Sequence, residues 1–178
     1  MNRAIVIFPE FENLQAIEEV REKYDPLHGK LKPHLTLVFP FESDIALTVI
    51  IEDIKSKLSG FQAFELTASG VSGFQSEYVF LDIREGRESI KQLSKALYSG
   101  VLKEFYNPKQ EYNPHITVGR LPSKVKYETA IDSTELSEVF AVKVSKLAIV
   151  SISSEFSCNI DEEFELERIR SGWNDYGS

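Results

Sequence analysis

One phrase occurs twice in this 178-residue chain, and it constrains the fold more than any other feature. Pro33-His34-Leu35-Thr36-Leu37 and Pro114-His115-Ile116-Thr117-Val118 both read Pro-His-apolar-Thr-apolar. The chain holds three histidines and seven prolines. Matching neighbours around two of those three histidines argue for an internal duplication. The surroundings of the two phrases agree with this. A short apolar strand, Ala4–Phe8, precedes the first phrase, and Tyr78–Ile83 precedes the second. Each pair of strands encloses a segment with helical apolar spacing, Asn13–Tyr24 in the first half and Glu88–Phe105 in the second.

The same order continues beyond each histidine. Leu35–Phe39 reads as a strand ended by Pro40, and Ile116–Leu121 as a strand ended by Pro122. A helix follows from Ser43 or Asp44 to Leu58, and its counterpart runs from Lys124 to Ser137. Phe61–Val71 then answers to the strand region Phe140–Ile152, and Phe164–Ile169 is a last strand. The pattern predicts an α+β fold of two pseudo-symmetric lobes. Each lobe is a mainly antiparallel sheet with helices on its outer face, and a central cleft lies between them. The chain forms a single bilobal domain, with lobe one at about residues 1–74 and lobe two at about 75–178.

Side chains alternate along a strand, so His and Thr two apart share one face. Leu35, Leu37, Ile116 and Val118 then point beneath the helices, and both His-Thr pairs point into the cleft. Histidine moves protons near neutral pH, so a facing pair suits acid and base catalysis on one substrate. Thr36 and Thr117 can donate hydrogen bonds to anionic oxygens. Tyr112, Lys32 and Arg120 flank the phrases and are further candidates for substrate binding. Strand alternation places Arg120 on the face opposite His115. No metal and no cofactor are expected, because two histidines without a third suitably spaced ligand make a poor zinc site. His28, in a turn-rich loop, reads as solvated.

Composition narrows the class. Apolar residues make up 42% and charged residues 27%, a globular balance. The single cysteine, Cys158, rules out an internal disulfide and a cysteine zinc cluster. No apolar run reaches membrane-spanning length, and the N-terminal apolar stretch is too short for a signal peptide. A cytoplasmic protein without a membrane contact or a stable protein partner is expected. The net charge of −8 opposes strong non-specific nucleic-acid binding. Lys103–Lys126 is locally basic and contains His115, which favours a small anionic substrate there. The acidic stretch after Ser153 reads as a solvated strand edge or tail.

His34-Leu35-Thr36-Leu37 and His115-Ile116-Thr117-Val118 resemble the signature of the two-histidine phosphoesterase superfamily. That group includes the RNA 2′-5′ ligase-like proteins and the cyclic nucleotide phosphodiesterases. Tyr24-Asp25-Pro26, Leu97-Tyr98-Ser99-Gly100-Val101-Leu102 and Glu111–Gly119 are similar to phrases in a bacterial phosphoesterase-like group. Val38-Phe39-Pro40-Phe41 departs from the arginine or Phe-Leu-Gly phrase that often follows the first motif in ligase-like members. The resemblance implies metal-independent hydrolysis of a 2′,3′-cyclic or 1″,2″-cyclic phosphate on a nucleotide or RNA end. His34 and His115 would be catalytic, with Thr36 and Thr117 on the phosphate. Two alternatives stand beside this: a non-catalytic nucleotide or RNA-end binding module, and an RNA 2′-5′ ligase or 3′-end trimming activity.

Overall fold

The computed structural model describes residues 2–109, 111–154 and 157–167. Among them, four α-helices accompany eight strands: β1 (Asn2–Ile7), α1 (Leu14–Tyr24), β2 (Leu35–Glu42), α2 (Leu47–Leu58), β3 (Phe64–Phe74), β4 (Tyr78–Ile83), α3 (Arg87–Leu97), β5 (His115–Arg120), α4 (Lys124–Ser133), β6 (Phe140–Val144), β7 (Lys146–Ile152) and β8 (Cys158–Glu165). The end of the expected last strand, 168–169, lies outside the described residues. The α+β architecture and antiparallel pairing expected from the sequence are present.

The strands form one sheet in the order β6-β3-β4-β5-β2-β1-β7-β8. The motif strands β2 and β5 therefore lie side by side at its centre. Their ladder holds a single residue pair, Leu35 with Ile116. The four strands on each side of that junction form the two halves of the sheet. These do not follow the chain in two blocks. β3 pairs with β4 and β6, whereas β7 pairs with β1. The region Phe140–Ile152, read as one strand, is two strands broken at Ser145, and they serve opposite halves. In a flat sheet β6 and β7 would lie about 29 Å apart. Ser145 alone bridges them, so the sheet curls until its ends meet. A bridge between Gln62 and Glu167 joins the same corner.

One face of the sheet carries the main core. Leu35, Leu37, Ile116 and Val118 are fully buried there, as alternation required. Helices cross between the halves: α1 packs on β5 and α3 on β2. Gly119 permits the first of these contacts, because a Cβ there would lie 3.2 Å from the Cβ atoms of Tyr24 and Val79. The predicted helix Glu88–Phe105 stops at Leu97 and resumes as a single 3-10 turn, Lys103–Phe105. Gly100 sits in the gap, where any Cβ would run into the Asp53 carboxylate from α2. That carboxylate accepts a hydrogen bond from the Val101 amide at 3.1 Å.

Both motif strands are irregular at the same place. On β5, Thr117 pairs with Phe80 but Gly119 pairs with Val79, leaving Val118 as an extra residue. On β2, Thr36 pairs with Val6 but Val38 pairs with Ile5, leaving Leu37 extra. A bulge of this kind inverts the side-chain alternation beyond it. Pro40 did not end β2: it falls at a second register shift, between the pairs Ile5–Val38 and Arg3–Phe41, where a missing amide is tolerated.

Candidate active site

His34, Thr36, His115 and Thr117 come together where the two sheet halves join. The register of the Leu35–Ile116 pair sets His34 opposite Thr117 and His115 opposite Thr36. All four are half-buried, on the face away from the main core. Diagonal neighbours across such a pair lie about 7–8 Å apart. The histidines are therefore spaced to flank one phosphate-sized group rather than to touch.

The two imidazoles are held in the same way. His34 Nδ1 bonds the Lys32 carbonyl at 2.9 Å, and His115 Nδ1 bonds the Asn113 carbonyl at 2.7 Å. A carbonyl only accepts, so each Nδ1 carries the hydrogen and each Nε2 is free for proton transfer. Burial pulls both histidines below the ordinary value of 6.5, against the opposing pull of these carbonyl bonds. Arg21 and His115 lower His34 further and Asp25 raises it, while Asp82 raises His115. The two histidines lie on one face of adjoining strands, so they belong to one site.

Arginines from the helices brace the loops that lead into each motif. Arg21 of α1 is almost fully buried and donates from Nε to Asp25 at 2.9 Å, from Nη1 to Glu18 at 3.0 Å and from Nη2 to the Leu31 carbonyl at 2.6 Å. Arg87 of α3 donates to the Ile83 carbonyl at 3.1 Å and to Asn113 Oδ1 at 2.6 Å. The sequence carried a signal for the first: Arg21 and Asp25 stand four apart, across the end of α1. His28 is tied to the same cluster, with Nε2 3.5 Å from Glu18.

The flanking candidates separate. The Arg120 expectation needs correcting. The bulge at Val118 turns Arg120 onto the face of His115, where it pairs with Tyr78. Its guanidinium carbon lies 5.4 Å over the Tyr78 ring, and its buried Nε has no protein partner. The Lys32 side chain is exposed, while its carbonyl holds His34. The Tyr112 hydroxyl donates to the Thr36 carbonyl at 2.6 Å, tying the loop before β5 to β2. Burial raises its pKa strongly, so it stays a neutral phenol.

Residues that sequence reasoning passed over complete the wall. Phe80 stacks on His115 at 3.6 Å, and Phe8 meets His34 edge-on at 6.3 Å. Asp82 pairs across the strand with His115 and accepts from Ser72 Oγ at 2.5 Å. Only the partner strand could have revealed these. A cavity of about 700 Å³ lies elsewhere, lined by Tyr24, Pro26, Glu77, Pro122 and Lys126, and of the motif strands it reaches only Arg120. Among the described residues no cluster of metal-binding side chains occurs, and no helix is long and apolar enough to cross a membrane.

Comparison with known proteins gives a consistent picture. A family description, the 2′-5′ RNA ligase superfamily, matches residues 9–155. The “Putative phosphoesterase” of Bacillus licheniformis is 26% identical over 78% of this chain and 82% of its own. Among solved structures, TT0787 of Thermus thermophilus superposes with a TM-score of 0.69 at 17% identity, covering 95% of this chain and all of that one. E. coli LigT complexed with 3′-AMP gives 0.68 at 20% identity, covering 93% and 97%.

Proposed function

Because the chain belongs to the 2′-5′ RNA ligase superfamily, we propose that it is a metal-independent phosphoesterase that hydrolyses a cyclic phosphodiester on a nucleotide or RNA end. The observation that carries this reading is the matched pair His34 and His115. Each is fixed through Nδ1, with Nε2 available, on one face of adjoining strands. The nucleotide bound by LigT in its 3′-AMP complex supports a substrate of this size and charge.

The chemistry follows from the placement. A water molecule attacks phosphorus as one histidine takes its proton. The bond from phosphorus to a ribose oxygen breaks, and the other histidine protonates that oxygen. Attack and departure lie roughly in line, and two histidines across a diagonal suit that. Thr36 and Thr117 donate to the non-bridging oxygens, and Arg120 offsets their charge. The sites differ in one respect: Asp82 stands across from His115, and Phe8 meets His34. That difference supports His115 as the protonated donor and His34 as the base.

The test is a phosphorus NMR panel of 2′,3′-cyclic nucleotides, 1″,2″-cyclic ADP-ribose and cyclic-phosphate-ended oligonucleotides, with chelator present. Turnover is expected for the wild type. His34→Ala and His115→Ala should each lower it by about 10²–10⁴-fold. No turnover of any substrate, or full activity in either variant, would overturn the reading. Tight binding without product would instead leave a binding module.

A further inference from the structure

The two motif strands share the shortest ladder among the described strands, the single pair Leu35–Ile116. The prolines of the repeated phrase bound it on both sides. Carried on in the same register, Pro114 would face Leu37 and Pro33 would face Val118. A proline has no N–H to give to such a pair. Leu37 and Val118 are also the extra residues at which β2 and β5 bend. The strands therefore part on either side of the junction, and something other than a ladder must hold the two His-Thr pairs in place.

Beyond Leu35, three backbone groups of β2 bond side-chain hydroxyls instead. Tyr112 donates to the Thr36 carbonyl at 2.6 Å, Ser94 donates to the Leu37 carbonyl at 2.7 Å, and the Tyr98 hydroxyl accepts from the Phe39 amide at 3.0 Å. Ser94 lies on α3 and Tyr98 at its C-terminal end, so these two fasten β2 to that helix. Tyr112 is different. It stands three residues before His115, next to Asn113, whose carbonyl holds His115 Nδ1. At the far end of its bond is Thr36, the residue opposite His115. One hydroxyl thus joins the approach to one motif's histidine to the other motif's threonine. Its ring is set edge-on against Phe39 at 6.2 Å, which fixes the direction of the hydroxyl. Three residues before His34 stands Leu31, which has no hydroxyl, and its carbonyl is held by Arg21. The strap therefore serves the His115–Thr36 pair and not the His34–Thr117 pair.

We propose that Tyr112 is a positioning residue: its hydroxyl, bonded to the Thr36 carbonyl, sets the spacing of His115 and Thr36 across the junction, and with it the alignment of the proton donor on the phosphate. Its catalytic consequence rests on the phosphoesterase reading above. The hydroxyl is engaged by the backbone, so Tyr112 acts through Thr36 and His115 rather than on the substrate. The prolines keep the strands from zipping together, and the tyrosine keeps them from drifting apart.

Tyr112→Phe keeps the ring and removes the strap. With adenosine 2′,3′-cyclic phosphate as substrate, kcat should fall about ten-fold and KM should stay within about two-fold of wild type, because a small displacement of reacting groups is costly in rate. Tyr98→Phe is the control. It removes a hydroxyl bond to the same strand, but not one that leads to His115. It should lower the denaturation midpoint and leave kcat unchanged. In proton NMR, the NOE between the His115 ring and the Thr36 methyl should weaken in Tyr112→Phe, while that between His34 and Thr117 stays constant. A raised KM with unchanged kcat would make Tyr112 a substrate contact and overturn the proposal. An unchanged kcat, an equal loss in Tyr98→Phe, or equal weakening of both NOEs would overturn it as well. If the wild type turns over no cyclic phosphate, the phosphoesterase reading fails separately, and the two NOEs alone decide the strap.

Discussion

His115 and His34 share a tether but not a neighbour. Across the strand from His115 is the Asp82 carboxylate, fixed by Ser72 and 3.7 Å from Arg84. His34 meets the edge of Phe8 instead. Replacing Asp82 by asparagine removes the charge that raises His115, so the His115 pKa should fall while His34 stays nearly constant. Proton NMR titration of the two imidazoles would show it, and equal movement of both would refute the asymmetry. The same groups predict the pH profile of kcat/KM. Burial holds both histidines below 6.5, so the bell should centre on the acid side of that value. A centre above pH 7 would contradict the burial. The histidines and threonines were legible in the sequence because a repeated phrase needs no partner to be noticed. Asp82, Phe80 and the true face of Arg120 were not, because cross-strand register decides them.

At the scale of elements, apolar spacing located the helices and most strands, and it failed where glycine, proline or a bulge intervened. Alternation put Arg120 on the wrong face because a single extra residue, Val118, reverses it. The helix expected through Phe105 ends at Leu97, and the Val101 amide, which a continuous helix would bond to its own carbonyls, donates to the Asp53 carboxylate of α2 instead. The contact of α1 with β5 hangs on Gly119. Gly119→Ala should crowd Tyr24 and Val79 and destabilise the fold by about 1–3 kcal/mol. A lowered denaturation midpoint with unchanged slope would confirm this, and an unchanged midpoint would show that α1 can shift without cost. Tyr24 ends α1, and the loop before His34 follows it, so activity should fall with stability.

For the whole molecule, the two half-buried histidines make stability depend on pH. They remain neutral in the fold at pH values where the unfolded chain has begun to protonate them. Below 6.5 the unfolded state therefore binds more protons, and stability falls as the pH falls. Urea denaturation at pH 7.5 and 5.5 should show a larger loss for the wild type than for the His34→Gln/His115→Gln double variant. Identical losses would place the acid sensitivity elsewhere. The exchange of β3 and β7 between the halves of the sheet also orders events during synthesis. The half that carries the second histidine needs β3 to β6 and is complete once Val144 has left the ribosome. The half that carries the first histidine waits for β7 and β8, more than a hundred residues after His34 itself. The motif made first is thus housed last, and a nascent chain truncated just after β6 would hold both histidines with only one finished wall.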